Sequence, residues 1–166
     1  RAKAMMDIYT IGADVLRGNA APVERFDDEF AALIERMFAT MKQGKGVGLA
    51  APQVGIPQRF FVMQIDGDKQ RVFVNPKIVE TSLELDSFEE GCLSIPGVYA
   101  DLDRPAEIRV QAWNERGRRF VLGADGFLAR VIQHELDHLN GVLFVDRLPE
   151  RTRDRLLKQY EKRMRA

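Results

Sequence analysis

The sequence predicts an α+β fold, and three observations carry that prediction. Apolar residues recur at helical spacing early in the chain, β-rich runs fill its middle, and a second helical pattern follows them. No internal repeat or linker divides these segments. With 166 residues and 45% hydrophobic content, a single domain over 1–166 with an adequate core is expected.

The first helix is predicted over Asp27 to Met41, where Phe30, Leu33, Ile34, Met37, Phe38 and Met41 form one apolar stripe before Gly44. Such a stripe should pack against a sheet. The next segment, Gly46-Val47-Gly48-Leu49-Ala50-Ala51-Pro52-Gln53, is rich in small residues. It has neither a Gly-Lys-Ser/Thr ending nor a GxGxxG spacing before a helix, which argues against phosphate binding. Two readings stay open: a tight turn after the helix, or a backbone that passes close to a ligand or another helix, with Gln53 offering a neutral amide donor.

Strands are predicted at Arg59 to Ile65, Arg71 to Val74, Ile78 to Leu83, Glu107 to Trp113 and Arg118 to Leu122. Turn signals at Asp66-Gly67, Asn75-Pro76 and Asn114 to Gly117 join them. Asp86 to Pro105 reads as loop-rich. It carries the only cysteine, Cys92, within Glu90-Gly91-Cys92-Leu93-Ser94-Ile95-Pro96.

A second helix follows, with Asp125 as N-cap, apolar Phe127, Leu128, Val131, Ile132, Leu136 and Leu139 at helical spacing, and Asn140-Gly141 as its stop. The chain's two histidines, His134 and His138, stand four apart on it. At about 3.6 residues per turn, both imidazoles point the same way and can share one metal ion. Glu135 falls in the middle of the apolar arc. A carboxylate there costs several kcal/mol unless it is used or compensated, and burial raises its pKa towards the range of proton transfer. The blander alternative is a surface histidine pair beside a carboxylate satisfied by an arginine or backbone amides.

One cysteine makes no internal disulfide, so Cys92 is either an apolar filler or a functional thiol in a reducing compartment. As a thiolate beside two imidazoles it would complete three protein ligands and leave a fourth position for water, the pattern of a catalytic site.

Residues 150–166 hold seven basic and three acidic residues, with Leu156, Leu157 and Tyr160 as a weak apolar stripe. A basic C-terminal helix or tail docked by one edge is expected, its outer face a solvated charged face. Across the chain 25 basic and 25 acidic residues cancel, so no overall electrostatic case exists for DNA, other nucleic acid or a membrane surface. No apolar run approaches the roughly 20 residues of a spanning helix, and no signal-peptide pattern is present. A cytoplasmic protein is expected. The chain opens at Arg1 rather than methionine, which leaves open whether residues precede it.

Taken together, Gly46 to Gln53, Glu90 to Ser94 and His134 to His138 resemble the three motifs of the peptide deformylases, complete and in order. The resemblance extends through Arg17, Ala21-Pro22-Val23, Asn75-Pro76, Arg104-Pro105 and Gly141 to Asp146, and so covers most of the chain. It implies antiparallel or mixed sheets packed around a central metal-binding helix, with one helix towards each terminus. It also implies removal of the formyl group from N-formylmethionine of nascent polypeptides, releasing formate. Some members of the family touch ribosomal RNA, so the resemblance offers the basic face of residues 150–166 that partner.

By the same resemblance, Cys92, His134 and His138 hold the metal, Glu135 is the acid/base, and Gln53 with the Leu93 N–H stabilises the oxyanion. Val47, Gly48, Gly91, Phe127 and Val131 are the implied substrate-binding positions, with Gly48 bonding the peptide as an added strand. Arg130 lies at the edge of that stripe and is expected at the mouth of the site. Ligand softness suits Zn²⁺, whereas the resemblance implies Fe²⁺ in the cell, replaceable by Zn²⁺, Ni²⁺ or Co²⁺ in a purified sample. An organellar relative fits equally well.

Two rivals remain at this level. One is a zinc peptidase that takes Glu150 or Glu161 as third ligand in place of Cys92. The other is a non-catalytic binding module with a vestigial metal site, which the retained Glu135, Gln53 and Cys92 argue against.

Overall fold

The Asp27 carboxylate accepts the Phe30 N–H at 2.9 Å and so starts the first helix, α1, Asp28–Gln43. This geometry comes from a computed structural model that describes residues 5–166; the opening at Arg1 lies outside them. The stripe behaves as its spacing demands, since Phe30, Ile34, Met37, Phe38 and Met41 are all buried.

Seven strands follow: β1 Gly48–Ala50, β2 Phe60–Met63, β3 Arg71–Thr81, β4 Leu85–Cys92, β5 Ile95–Pro105, β6 Glu107–Trp113 and β7 Arg119–Asp125. Then come α2, Gly126–Leu139, and α3, Glu150–Arg165. The strands pair antiparallel into a five-stranded sheet of order β1-β2-β3-β6-β7 and a separate two-stranded sheet, β4-β5.

Near β1 and β2 the larger sheet is apolar on both faces because both are covered, while β6 and β7 leave one face exposed. Successive side chains alternate across a strand, so Phe60 and Val62 join the core under α1 while Phe61 and Met63 join the core under α2. Phe61 and Phe73 sit opposite each other in the β2-β3 register and stack at 4.8 Å. A third core lies between β5, the turn Phe144–Arg147 and α3, closed by Ile95, Leu102, Phe144 and Tyr160. The fold is thus α+β with α2 packed centrally against the sheet.

Two sequence expectations need correction. Asn75-Pro76 does not end a strand: β3 runs straight through from Arg71 to Thr81 as a bulged strand. Asn75 takes φ +50°, which its short amide tolerates, and that amide exchanges two hydrogen bonds with the Val23 backbone, at 2.8 and 3.0 Å.

The stretch Asp86 to Pro105, expected to be loop-rich, is a long β-hairpin. Val98, Ala100 and Leu102 alternate inward along β5, but Glu90 and Arg104, both under 6% exposed, put charges at inward positions where that pattern expects apolar residues. The first helix and the Glu107 to Trp113 strand form within a residue or two of their expected bounds, and β7 begins one residue later and ends three later than expected.

Candidate metal centre

Helix α2 supplies two potential ligands by its own period. His134 and His138 bring their ring centroids to 5.1 Å, and Asp125 occupies the N-cap position without a side-chain cap bond. Hairpin β4-β5 delivers the third at its turn: Cys92 Sγ lies 3.3 Å from His138 Nε2. The ligand atoms of Cys92, His134 and His138 all fall within 4.8 Å of one another.

The donor set fits a divalent ion: a thiol and two imidazoles suit a tetrahedral site with one further position. Glu90 Oε1 sits 2.9 Å from His134 Nδ1, which orients that ring and leaves Nε2 for an ion. Burial, with the neighbouring His134, keeps His138 well below the usual imidazole pKa. Burial opposes charge on His134 too, yet its hydrogen bonds to Cys92 and Glu90 prevail and hold it above that range.

Glu135 is the carboxylate on the apolar arc, 4% exposed, with Oε1 lacking any hydrogen-bond partner. Burial pushes its pKa up to about 7, against the pull of His134. A proton can therefore move on and off it near neutrality. Gly48 explains how the carboxylate fits, because a Cβ there would stand 2.5 Å from Glu135 Oε2. Of the two readings of the glycine-rich segment, close approach to the metal helix is the one realised.

Gln53 lies on the turn Ala51–Val54, just after β1, and its amide is fixed at both ends. Its Oε1 accepts the Ala50 N–H at 2.9 Å, and its Nε2 stands 3.1 Å from Ser94 Oγ and 3.5 Å from Cys92 Sγ. The donor therefore faces the Cys92 turn.

A buried charge network ties the hairpin to α2. Arg104 donates to both Glu90 oxygens (2.6 and 3.0 Å) and to Asp137 (2.9 Å), and Arg147 grips Asp137 through two bonds of 2.7 and 2.8 Å. Burial alone would raise Glu90, but hydrogen bonds from His134 and Arg104 outweigh it and hold the carboxyl well below its usual range. Sequence reasoning missed this network. Its members sit inside or beside the motifs, but pairing them requires the hairpin, which the apolar pattern conceals.

Arg130 also belongs to the network and not to an open mouth. Its guanidinium donates to Glu90 and to the Leu102 carbonyl, both at 2.7 Å, and to the Asp86 carbonyl at 2.8 Å, while lying 5.8 Å over the Phe88 ring. It lines the cavity as a buried residue, 4% exposed.

That cavity, about 540 Å³, is bordered by Val47, Gly48, Gln53, Gly91, Cys92, Leu93, Phe127, Val131, His134 and Glu135. Every predicted site residue therefore lines one groove except His138, which lies deeper at 1% exposure. Gly91 leaves room for the cross-strand Tyr99 ring, since a Cβ there would meet it at 2.5 Å. Phe127 is supported by Phe88 at 5.5 Å. Tyr99 and Lys45 line the groove as well and were not foreseen. The peptidase alternative finds no ligand, because Glu150 and Glu161 are exposed on α3 and neither joins the Cys92, His134, His138 group.

The family described as Polypeptide deformylase matches residues 5–154. A protein named peptide deformylase from Azotobacter vinelandii is 48% identical over 164 residues, covering 98% of this chain and 98% of that protein. The crystal structure of a peptide deformylase from Legionella pneumophila superposes with a TM-score of 0.92 at 42% identity, covering 98% of this chain and 96% of the other. One from Synechococcus elongatus, in complex with actinonin, superposes at 0.90 with 46% identity, over 96% and 89% of the two chains.

Proposed function

This chain belongs to the polypeptide deformylase family, and from that premise we propose that Cys92, His134 and His138 hold its divalent ion while Glu135, Gln53 and Leu93 carry out the reaction around it. The reaction is hydrolysis of the formyl amide on the N-terminal methionine of nascent polypeptides, which releases formate. The observation that carries the residue assignment is the single groove in which a thiol, an imidazole, a raised carboxylate and a fixed amide donor meet.

When bound, the ion supplies Lewis acidity and a water of lowered pKa. Glu135 takes the proton from the attacking water and passes one to the departing nitrogen, a task suited to a carboxylate poised near neutrality. The Gln53 amide and the Leu93 N–H donate to the formyl oxygen as charge develops on it. Gly48, in an edge strand with one side unpaired, bonds the peptide backbone, and Val47, Gly91, Phe127 and Val131 enclose the methionine side chain. The unbranched thioether suits this slot of small and apolar walls.

The ion in the cell is Fe²⁺ on this reading, with Zn²⁺, Ni²⁺ or Co²⁺ taking its place in purified protein, because one thiolate and two imidazoles accept all four. The protein works in the cytoplasm, where nascent chains emerge, as one catalytic domain. No helix among the described residues is long and apolar enough to cross a membrane. Helix α3 docks through buried Tyr160 and turns most of its arginines and lysines outward, which supports contact with ribosomal RNA.

The test is formate release from formyl-Met-Ala-Ser beside acetyl-Met-Ala-Ser. Rapid release from the first alone is expected. Equal turnover of the acetyl peptide, or none of the formyl peptide by metal-loaded protein, would overturn the reading.

A further inference from the structure

Lys45 stands where glycine is the usual occupant. Helix α1 ends in a six-residue closure, with the Gly46 N–H bonded to the Met41 carbonyl and the Lys45 N–H to the Lys42 carbonyl, both at 3.0 Å. The residue between the cap Gly44 and Gly46 must turn left-handed, and Lys45 does so at φ +60°. A β-carbon is disfavoured in that conformation. The lysine is thus kept against the local preference.

Its surroundings indicate a reason. Lys45 is exposed and lines the substrate groove, and it also borders an adjoining cavity of about 350 Å³ next to the Ile65–Asp68 loop. Among the described residues no ion pair or hydrogen bond occupies its side chain. The groove lining also holds Glu89, Glu90 and Arg130, of which Glu90 and Arg130 are paired with each other. Among the described residues Lys45 is therefore the cation of that lining without an ionic partner.

We propose that Lys45 is a specificity-determining residue whose ammonium receives a carboxylate on the second or third residue after the formylated methionine. The placement rests on the peptide bonding along Gly48 as argued above. Leu93, whose N–H is assigned above to the formyl oxygen, lies with its side chain against Gly44 and Gly46 on either side of Lys45, so Lys45 borders the groove next to the site. A peptide bonded along Gly48 carries its first residues after methionine past it, about 3.3 Å apart.

The experiment compares formyl-Met-Ala-Asp-Asp-amide with formyl-Met-Ala-Asn-Asn-amide, both amidated so that no terminal carboxylate competes. Wild-type protein should favour the acidic peptide about two- to fivefold in kcat/KM, the size of one exposed charge pair, and mainly through KM. In about 1 M salt, where the Debye length shrinks to roughly 3 Å, that ratio should fall to near one. Lys45→Gly should bring it to near one at low salt while melting no lower than wild type, since glycine relieves the left-handed strain. Lys45→Glu should invert it. A ratio unchanged in Lys45→Glu, or a wild-type preference insensitive to salt, overturns the inference while leaving the deformylase reading intact. Failure of wild-type protein to release formate from either peptide overturns that reading and this inference with it.

Discussion

The two halves of the metal centre are built by different physics. Helix α2 sets His134, Glu135 and His138 by its own pitch and fixes itself against a five-stranded sheet through Ala129, Val131, Ile132 and Leu139. The β4-β5 hairpin shares no ladder with that sheet. It brings Cys92 to the histidines through buried ion pairs, with Glu90 and Arg104 inside the hairpin and Arg130, His134 and Asp137 reaching from the helix. One half is a period; the other is a tether. Damage to the first should remove chemistry from a standing fold, and damage to the second should loosen the fold that assembles the site.

The sharpest test of the helix half is Glu135→Gln, which keeps shape and removes the proton acceptor. A fall of about 10²- to 10⁴-fold in kcat is expected, with metal content by atomic absorption unchanged. Activity within threefold of wild type would mean that the carboxylate is only a buried passenger.

Arg104→Met tests the tether. It leaves Glu90 and Asp137 short of a partner at sites where Arg104 itself is 4% exposed, and removing one member of a buried network costs on the order of 3–5 kcal/mol. For a chain of this size that corresponds to a melting-temperature drop on the order of 10 °C. If the midpoint moves by less than about 2 °C by calorimetry, the hairpin is held by its apolar core and the ionic tether is incidental.

The same contrast explains what could be read before the fold was known. The histidine pair, the buried position of Glu135 and both long flanking helices follow from helical spacing, a property of neighbouring residues. The segment holding Gly48 was legible only as a choice between a tight turn and a close approach, and the partner of Gly48, the Glu135 carboxylate, was not legible at all. The hairpin was hard to read because β4 exposes Leu85 and Phe88 while burying Glu90, and the alternation of Val98, Ala100 and Leu102 in β5 runs on into a buried Arg104, so the run from Asp86 to Pro105 imitates a loop. Arg130 was half legible for a related reason: its place on the helix beside the groove was readable, whereas its three acceptors come from Asp86, Glu90 and Leu102 on the hairpin. Residues placed by a tether leave little local trace.

Gly48→Ala probes the seam between the halves. The added Cβ would meet Glu135 Oε2 at 2.5 Å, and the 4% exposed carboxylate has little room to retreat. Misplacing the acid/base by a fraction of an ångström should lower kcat on the order of 10- to 100-fold with little change in melting temperature. A large loss of stability with kcat preserved would show that the glycine serves packing alone.

The smallest effect should come from outside both halves. Asp27 caps α1 on the far face of the sheet, where its carboxylate holds the Phe30 N–H and touches no site residue. Asp27→Ala should cost about 1 kcal/mol, seen as a modest shift in the denaturation midpoint, and leave kcat and KM for a neutral formyl peptide as they were. The variant separates general loosening from loss of the tether. If a weakened α1 lowered activity as much as Arg104→Met at equal loss of stability, positioning of Cys92 would depend on overall rigidity, and the special standing of the ion-paired hairpin would fall.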